Sequence, residues 1–373
     1  MTTPAGKTAK EASRRERIRK LGRVLVINMG GTSTKLAIYS GGEAVHQEQL
    51  AFTPPPRAKR LQDELRPRLE QVQRFLDSVG VKLAKFAAII ARGGLMAPME
   101  AGVYRINQRM LDDLASGKYG EHASNLCAQV AYELAREHDL PAFIADPIVV
   151  DEFPPEARVS GFPGINRVSR QHTLNVRAVA RRVAGDLGMP FSRLNAVVAH
   201  LGTGFSIVTV RRGRLVDNAD AMLGEGPFSI ERAGTLPLRG VLDLAYSHPD
   251  RKQVERLLVK QSGLAGYLGT NRFPEIERRL EANDEKAQLI YNAMVHQIAK
   301  NVAAYSAPLK RAPDAIIITG GLAHSKRLIR DLKAYLRWLA PIVVVPGENE
   351  MQALADAAYM ALLGEERIRE YQG

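Results

Sequence analysis

Apolar positions along this chain follow two rhythms, and their alternation predicts an α/β fold. Short runs of branched and small apolar residues have the length and composition of buried strands: Val24-Leu25-Val26-Ile27, Phe86 to Ala91, Val197-Val198-Ala199, Ile316-Ile317-Ile318 and 342–346. Between them the apolar period is close to four. Leu126, Val130 and Leu134 mark a helix over 121–138, and Ile290, Met294, Ile298 and Val302 mark a long one over 284–307. An amphipathic stretch over 57–78 follows Pro54-Pro55-Pro56 and should kink or divide near Pro67. Residues 142–150 read as a strand interrupted at Asp146-Pro147, and a last helix covers 350–363.

Glycines sit where strands end. Val24 to Ile27 runs through Asn28-Met29 into Gly30-Gly31-Thr32-Ser33, and a second strand leaves from Lys35, which is the pattern of a β-hairpin. Val197 to His200 leads into Gly202-Thr203-Gly204 and out again from Phe205, repeating the plan. A third corner, Gly320-Gly321, follows Ile316 to Thr319. Such corners expose backbone N–H groups that suit phosphate oxygens at close range. No GxxxxGK[ST] precedes a helix, so this is not a P-loop. The recurrence predicts two related α/β domains with mixed sheets and a duplicated nucleotide clamp. The expected boundaries are 22–146 with 350–373 for the first domain and 147–349 for the second.

Composition narrows the class. A chain of 373 residues, 45% apolar and 25% charged, is long enough for two or three well-buried domains. No apolar run approaches the roughly 18 residues a membrane helix needs, and a cytoplasmic location is expected. Cys127 is the single cysteine, which excludes an internal disulfide framework and a multi-cysteine metal site. Its alanine-rich helical surroundings read as core. The net charge is +12, and half of it lies in residues 1–23, where Lys7, Lys10, Arg14, Arg15, Arg17, Arg19, Lys20 and Arg23 face only Glu11 and Glu16. That leader has no apolar h-region, so it is not a secretory signal. Residues 1–21 read as a basic, disordered arm capable of weak contacts with an anionic polymer. The rest of the excess suits a protein whose ligands are anions.

Four further stretches carry a resemblance: Arg92-Gly93-Gly94-Leu95, Tyr119-Gly120-Glu121-His122-Ala123-Ser124-Asn125, Gly224-Glu225-Gly226-Pro227-Phe228-Ser229 and Pro346-Gly347-Glu348-Asn349-Glu350-Met351. In this order, beside the three glycine corners, they resemble the acetate and butyrate kinase family over residues 22–363, most of all its butyrate kinases. The resemblance implies an actin-like, sugar-kinase-like fold of two duplicated domains with ATP in the cleft. It also implies Mg²⁺-dependent, reversible transfer of the γ-phosphoryl group to a short-chain carboxylate, and a homo-oligomer.

A carboxylate is already a nucleophile, so that chemistry asks for positioning and for neutralised phosphoryl charge rather than a strong base. By resemblance Arg232 is the phosphoryl clamp. Arg92, beside its two glycines, is either a second anion ligand or a structural ion pair. His172 and His122 match histidines lining the acyl and phosphoryl site, and Asp146 matches an aspartate near the metal waters. His200 would face the phosphates, together with Gly30, Gly31, Thr32, Ser33, Lys35, Gly202, Thr203, Gly204, Gly320 and Gly321. Asn28 and an acid among Glu348, Asn349 and Glu350 would hold Mg²⁺, either glutamate acting through water. There are departures from the family. Gly31 replaces a serine, Thr203 an asparagine or glycine, and Gln171 a phenylalanine of the acyl wall. Ala91 stands where acetate kinases carry valine, which leaves room for a longer acid, whereas Gln171 pulls the other way.

Other readings make different demands. A branched-chain acid kinase or an acetate kinase would share the same residues. A sugar-hydroxyl kinase needs a carboxylate base, for which Asp146 is the candidate. For an actin-like ATPase the histidines and arginines are superfluous. A nucleic-acid platform lacks interleaved aromatics, which are 6% of the chain.

Overall fold

The computed structural model describes residues 14–220, 222–248 and 250–373. The chain divides into two compact units, Met1–Val150 with Asn349–Gly373, and Asp151–Glu348. The strands are β1 (Arg23–Met29), β2 (Ser33–Ser40), β3 (Glu43–Ala51), β4 (Phe86–Arg92), β5 (Val103–Arg105), β6 (Ala142–Ala145), β7 (Asn195–Leu201), β8 (Phe205–Arg211), β9 (Arg214–Asn218), β10 (Ala315–Gly320), β11 (Ile342–Pro346) and β12 (Ile368–Glu370).

Each unit is built on one mixed sheet, and the two share a plan. The first has strand order β12-β5-β6-β4-β1-β2-β3 and the second β11-β10-β7-β8-β9. In both, a hairpin and a third antiparallel strand (β1-β2-β3, β7-β8-β9) continue into two parallel strands (β4 and β6, β10 and β11). The repeated glycine hairpin is therefore the visible end of a repeated sheet. The parallel strands end on one edge of each sheet, where open α/β sheets place their ligands. Arg92 and Ala145 end there in the first unit, and Gly320 and Pro346 in the second.

The strands are apolar because helices cover them. In the second unit Val197, Ile207, Ile316 and Ile318 pack with the helix Glu285–Ala304, which buries Met294, Ile298 and Val302. Asp284 caps that helix through the Ala287 N–H at 2.9 Å. In the first unit Leu25, Ile27, Leu36 and Ile89 pack with Val72, Phe75, Leu126, Val130 and Leu134. The amphipathic stretch divides as expected, into a 3₁₀ turn Leu61–Glu64 and a helix Leu65–Ser78 with Pro67 in its first turn. Among the described residues no helix is long and apolar enough to cross a membrane.

Two boundaries differ from the sequence pattern and a third agrees with it. The arm expected to be disordered is helical over residues 14–20, with Ile18 buried and Arg14 and Arg17 paired to Glu365; its remainder, 1–13, lies outside the described residues. The helix expected from 121 starts at Asn125, because His122-Ala123-Ser124 forms a turn closed by the Asn125 N–H donating to His122 O. The strand from Ala142 breaks at Asp146 as expected, stopping at Ala145 because Asp146 takes a left-handed φ of 42°.

Candidate functional site

In the first unit, three side chains meet at the ends of β1 and β4. Asn28 is buried, and its Nδ2 donates to Glu350 Oε2 at 2.8 Å. Arg92 Nη1 lies 3.4 Å from Asn28 Oδ1 and 3.6 Å from Glu350 Oε2. The ion-pair alternative for Arg92 thus has a real partner, and the guanidinium still keeps 30% of its side-chain surface exposed. The glycines beside Arg92 are steric. A Cβ on Gly94 would come within 2.6 Å of Asn125 Oδ1, the atom that accepts the Leu95 N–H at 2.8 Å. Asn125 Nδ2 in turn donates to Gly120 O at 2.9 Å, so two of the sequence stretches singled out above form one turn-on-turn contact.

His122 belongs to that contact. Its Nδ1 accepts the Ser124 N–H at 3.2 Å and lies 2.8 Å from Ser124 Oγ, which places the proton of the neutral ring on Nε2. Desolvation of the ring, then the charge of Arg92, hold its pKa below the usual histidine value. Asp146 accepts the Gly102 N–H at 2.8 Å through Oδ1, and its own N–H donates to Gly102 O at 3.0 Å. That carboxylate pins a turn. Gly30, Gly31, Thr32 and Ser33 form the β1–β2 tip, with the Gly30 N–H donating to Ser33 O at 2.8 Å, and Lys35 stands opposite Asn28 in the ladder. Cys127 is fully buried, its Sγ accepts the Met29 N–H at 3.2 Å, and burial pushes its pKa up to about 11. It is a core residue, as its surroundings imply.

The second unit assembles a denser group around its own hairpin. Gly202, Thr203 and Gly204 form the β7–β8 tip, and the space where a Gly204 Cβ would stand is filled by the guanidinium of Arg232. Two ties hold that approach. Ser229 Oγ donates to Thr203 O at 2.8 Å, and the same oxygen accepts the Arg232 N–H at 3.3 Å. The preceding loop closes on itself through the Gly226 N–H to Thr235 Oγ1 at 2.8 Å and the Thr235 N–H to Gly226 O at 2.9 Å. Glu225 anchors it, accepting from Arg167 Nε at 2.9 Å and from the Tyr305 hydroxyl at 3.2 Å. Burial holds the Arg232 guanidinium below its ordinary pKa, against the pull of Glu231 and Asp220. It remains a cation, and a partly dehydrated one.

His172 and His200 lie beside the same tip. His172 precedes the helix Thr173–Asp186, and its N–H donates to Ser206 Oγ at 3.3 Å. Ser206 Oγ also lies 2.8 Å from Nδ1; with Ser206 as the donor there, the ring proton sits on Nε2. His200 Nδ1 accepts from Asn175 Nδ2 at 2.9 Å, giving the same tautomer. His200 Nε2 is buried without a hydrogen bond, its nearest charge being Glu348 Oε1 at 3.1 Å. Gln171 Oε1, Thr173 Oγ1 and Asn175 Oδ1 are likewise buried and unpaired. Four orphaned polar atoms on residues 171–175 and 200 are more than native interiors leave without a ligand or ordered water. Gly320, with φ 89°, closes the group: a Cβ there would meet Leu201 O at 2.5 Å, so only glycine fits. Gly321 opens the turn that follows it.

The acids of 348–350 separate. Glu348 contacts His200, Glu350 contacts Asn28 and Arg92, and Asn349 occupies the N-cap of the helix Glu350–Leu362. Among the described residues no three His, Cys, Asp or Glu side chains cluster as a metal cage. The oxygens of the Asn28–Glu350 pair already face Arg92 Nη1, so an ion there would be held through its own water.

Residues 164–344 match the model of the Acetokinase family. This is the segment that carries His172, His200, the β7–β8 tip and Arg232. Among solved structures the chain is similar to the acetate kinase of Porphyromonas gingivalis, at 16% identity over 92% of this chain and 100% of that one, with a TM-score of 0.76. It is similar to a propionate kinase from Francisella tularensis, at 20% identity over 90% and 98%, TM-score 0.73. A putative N-acetylmannosamine kinase from Listeria monocytogenes aligns at 15% identity over 92% and 99%, TM-score 0.54. The chain therefore has the actin-like fold of acetate kinases and related sugar kinases, with two α/β units on mixed sheets.

Ser206, Asn175, Ser229 and Glu225 were not singled out as site residues from the sequence. Ser229 and Glu225 lie inside a quoted stretch, but nothing local marks a serine or glutamate as a tie between turns. Gln171 is buried, with Nε2 3.3 Å from Ser169 Oγ. Ala91 has no exposed surface and belongs to the core of its unit, so it gives no visible room to an acid.

Proposed function

We propose that this chain is an ATP-dependent carboxylate kinase, converting butanoate and ATP reversibly to butanoyl phosphate and ADP. The observation that carries the reading is the Arg232 guanidinium seated on Gly204 at the tip of the β7–β8 hairpin, inside the segment that matches the Acetokinase family. A cation held at a glycine hairpin tip suits a phosphate whose charge grows on its outer oxygens. The acid's carboxylate oxygen forms the new P–O bond as the bond from phosphorus to the ADP oxygen breaks, and no proton has to move. Neutral histidines are therefore sufficient. His172 and His200 each hold Nδ1 as an acceptor, so each ring can offer Nε2–H to an oxygen. Asn28 and Glu350 would hold the water shell of Mg²⁺, which when bound neutralises phosphate charge. Arg92 would meet the acid or the phosphoryl group.

Butanoate rather than acetate rests on the butyrate-kinase pattern of the sequence, since Ala91 is core. The test is ADP formation with butyrate, isobutyrate, acetate and glycerol in a coupled assay. Turnover with the acids and none with glycerol is expected. Turnover with glycerol alone, or ATP hydrolysis indifferent to every acceptor, would overturn the proposal.

A further inference from the structure

Arg68 is buried completely beneath the β1–β2 tip, in the helix Leu65–Ser78, and no step of the chemistry above uses it. Its Nη2 donates to Gly30 O at 2.8 Å and to Gly31 O at 3.3 Å. Its Nη1 donates to Thr34 Oγ1 at 2.9 Å and to Ser33 O at 3.3 Å. The guanidinium carbon lies 3.5 Å from the centre of the Phe52 ring, and Glu64 Oε2, 3.3 Å away, is its ion-pair partner.

The geometry of the peptide unit gives this arrangement a consequence. In a trans peptide the C=O and the following N–H point in opposite directions. Drawing the Gly30 and Gly31 carbonyls inward onto Arg68 turns the N–H groups of Gly31 and Thr32 outward. Both residues are exposed, and no acceptor in the described structure takes either N–H. Two adjacent outward amides form an anion-binding concavity. A buried arginine with one carboxylate partner adds a fixed positive charge on the far side of the same turn.

We infer that Arg68 is a positioning residue that presents the Gly31 and Thr32 amides to the transferring phosphate. The inference rests on the phosphoryl-transfer reading for its ligand, and on the Arg68 contacts for its mechanism. A lysine at 68 keeps the charge but cannot span four oxygens with a fork.

The experiment compares wild type with Arg68→Lys, and with Phe52→Leu as a milder disturbance should the first variant fold poorly. Folding is checked by circular dichroism and thermal melting. In the folded variant kcat should fall about 10- to 100-fold, the cost of misplacing a reacting group by a fraction of an ångström to an ångström. The KM for the acid should change less than about threefold, because only the phosphate side is disturbed. In amide NMR of isotopically labelled protein, ATP should shift Gly31 and Thr32 in wild type and much less in the variant. A variant with lowered melting temperature but wild-type kcat and wild-type amide shifts would make Arg68 purely structural and overturn the inference. So would the absence of any ATP response at Gly31 and Thr32 in wild type. If wild type phosphorylates no acid while those amides respond to ATP through Arg68, the substrate assignment fails and the positioning role stands.

Discussion

The imidazole rings of His172 and His200 stack face to face, with centroids 3.9 Å apart and planes 12° from parallel. With Nδ1 of each ring accepting a hydrogen bond, both rings are in a state that leaves Nε2 as the atom to donate. Ser206 fixes that state for His172, taking the backbone N–H and giving its own proton to Nδ1. Ser206→Ala should therefore lower kcat about tenfold, the value of one well-placed hydrogen bond of about 1.4 kcal/mol. The KM for ATP should hold within about threefold. Steady-state kinetics on a variant with an unchanged dichroism spectrum decides the matter, and an unaltered kcat would remove Ser206 from the mechanism.

What the sequence made legible follows physical scale. Hairpins β1–β2 and β7–β8, the helix Glu285–Ala304 and strand β11 each carry their signal within a dozen or so residues, as branched runs, glycine tips or a four-residue stripe. Strand β3, Glu-Ala-Val-His-Gln-Glu-Gln-Leu-Ala, is exposed almost throughout and shows no alternation; only its pairing with β2 makes it a strand. Strands β5 and β12 are three residues each and pair across more than 260 residues of chain. The helices Leu238–Tyr246 and Arg251–Lys260 bury no residue, although the first carries Leu238, Leu242 and Tyr246 at four-residue spacing. The site divides the same way. Arg232, His172 and the glycines stand in recognisable stretches, whereas Arg68 and Ser206 act through contacts made 34 or more residues away in sequence.

The C-terminal strand should be a structural clasp. Tyr371 donates its hydroxyl proton to Asp113 Oδ2 at 2.7 Å and accepts the Ala97 N–H at 3.0 Å, all within the first unit. Burial, then Asp113, pushes its pKa upward, so the phenol stays protonated across the working range. Tyr371→Phe removes the hydroxyl from a buried carboxylate, which keeps only Arg109 Nε at 3.6 Å, and from the buried Ala97 amide, at a cost of about 1–3 kcal/mol. Urea denaturation should show the midpoint moving to lower concentration, with kcat at 25 °C little changed. An unmoved midpoint would mean that water replaces the hydroxyl.

His122 gives a pH dependence of definite sign. Its pKa is depressed in the folded chain, by desolvation first and by Arg92 second, so the unfolded chain binds a proton more readily. Stability from the neutral ring is full above the ordinary histidine pKa of about 6.5 and is lost as pH falls from there through the lower folded value. The residue is exposed, so the effect is small. Melting temperatures of wild type and His122→Gln should run parallel above about pH 7 and converge or cross on acidification below about 6.5. Parallel curves down to about pH 5 would show that the ring is not held neutral.

Arg232 makes the firmest prediction, because its position can be disturbed in two independent ways. A loose phosphoryl transition state places negative charge on equatorial oxygens, and a partly dehydrated guanidinium beside the hairpin amides meets it. Arg232→Ala should lower kcat about 10³-fold, the lower end for an arginine that stabilises such a state, while the KM for ATP changes far less. Arg232→Lys should recover little, because a point charge does not reproduce the planar fork. The second disturbance leaves the arginine in place. Gly204→Ala puts a methyl group where the guanidinium now lies, so the side chain must move while the charge of the protein stays the same. Since Gly204 does not have a left-handed φ, alanine adds little backbone strain there. If placement and not charge alone matters, Gly204→Ala should lose about 10²-fold in kcat and add little to the defect of Arg232→Ala in the double variant. A folded Arg232→Ala that keeps more than about a tenth of wild-type kcat would show that Arg232 is not the clamp, and Arg92 would take its place. Additive losses in the double variant would instead show that the methyl group acts on the nucleotide and not through Arg232.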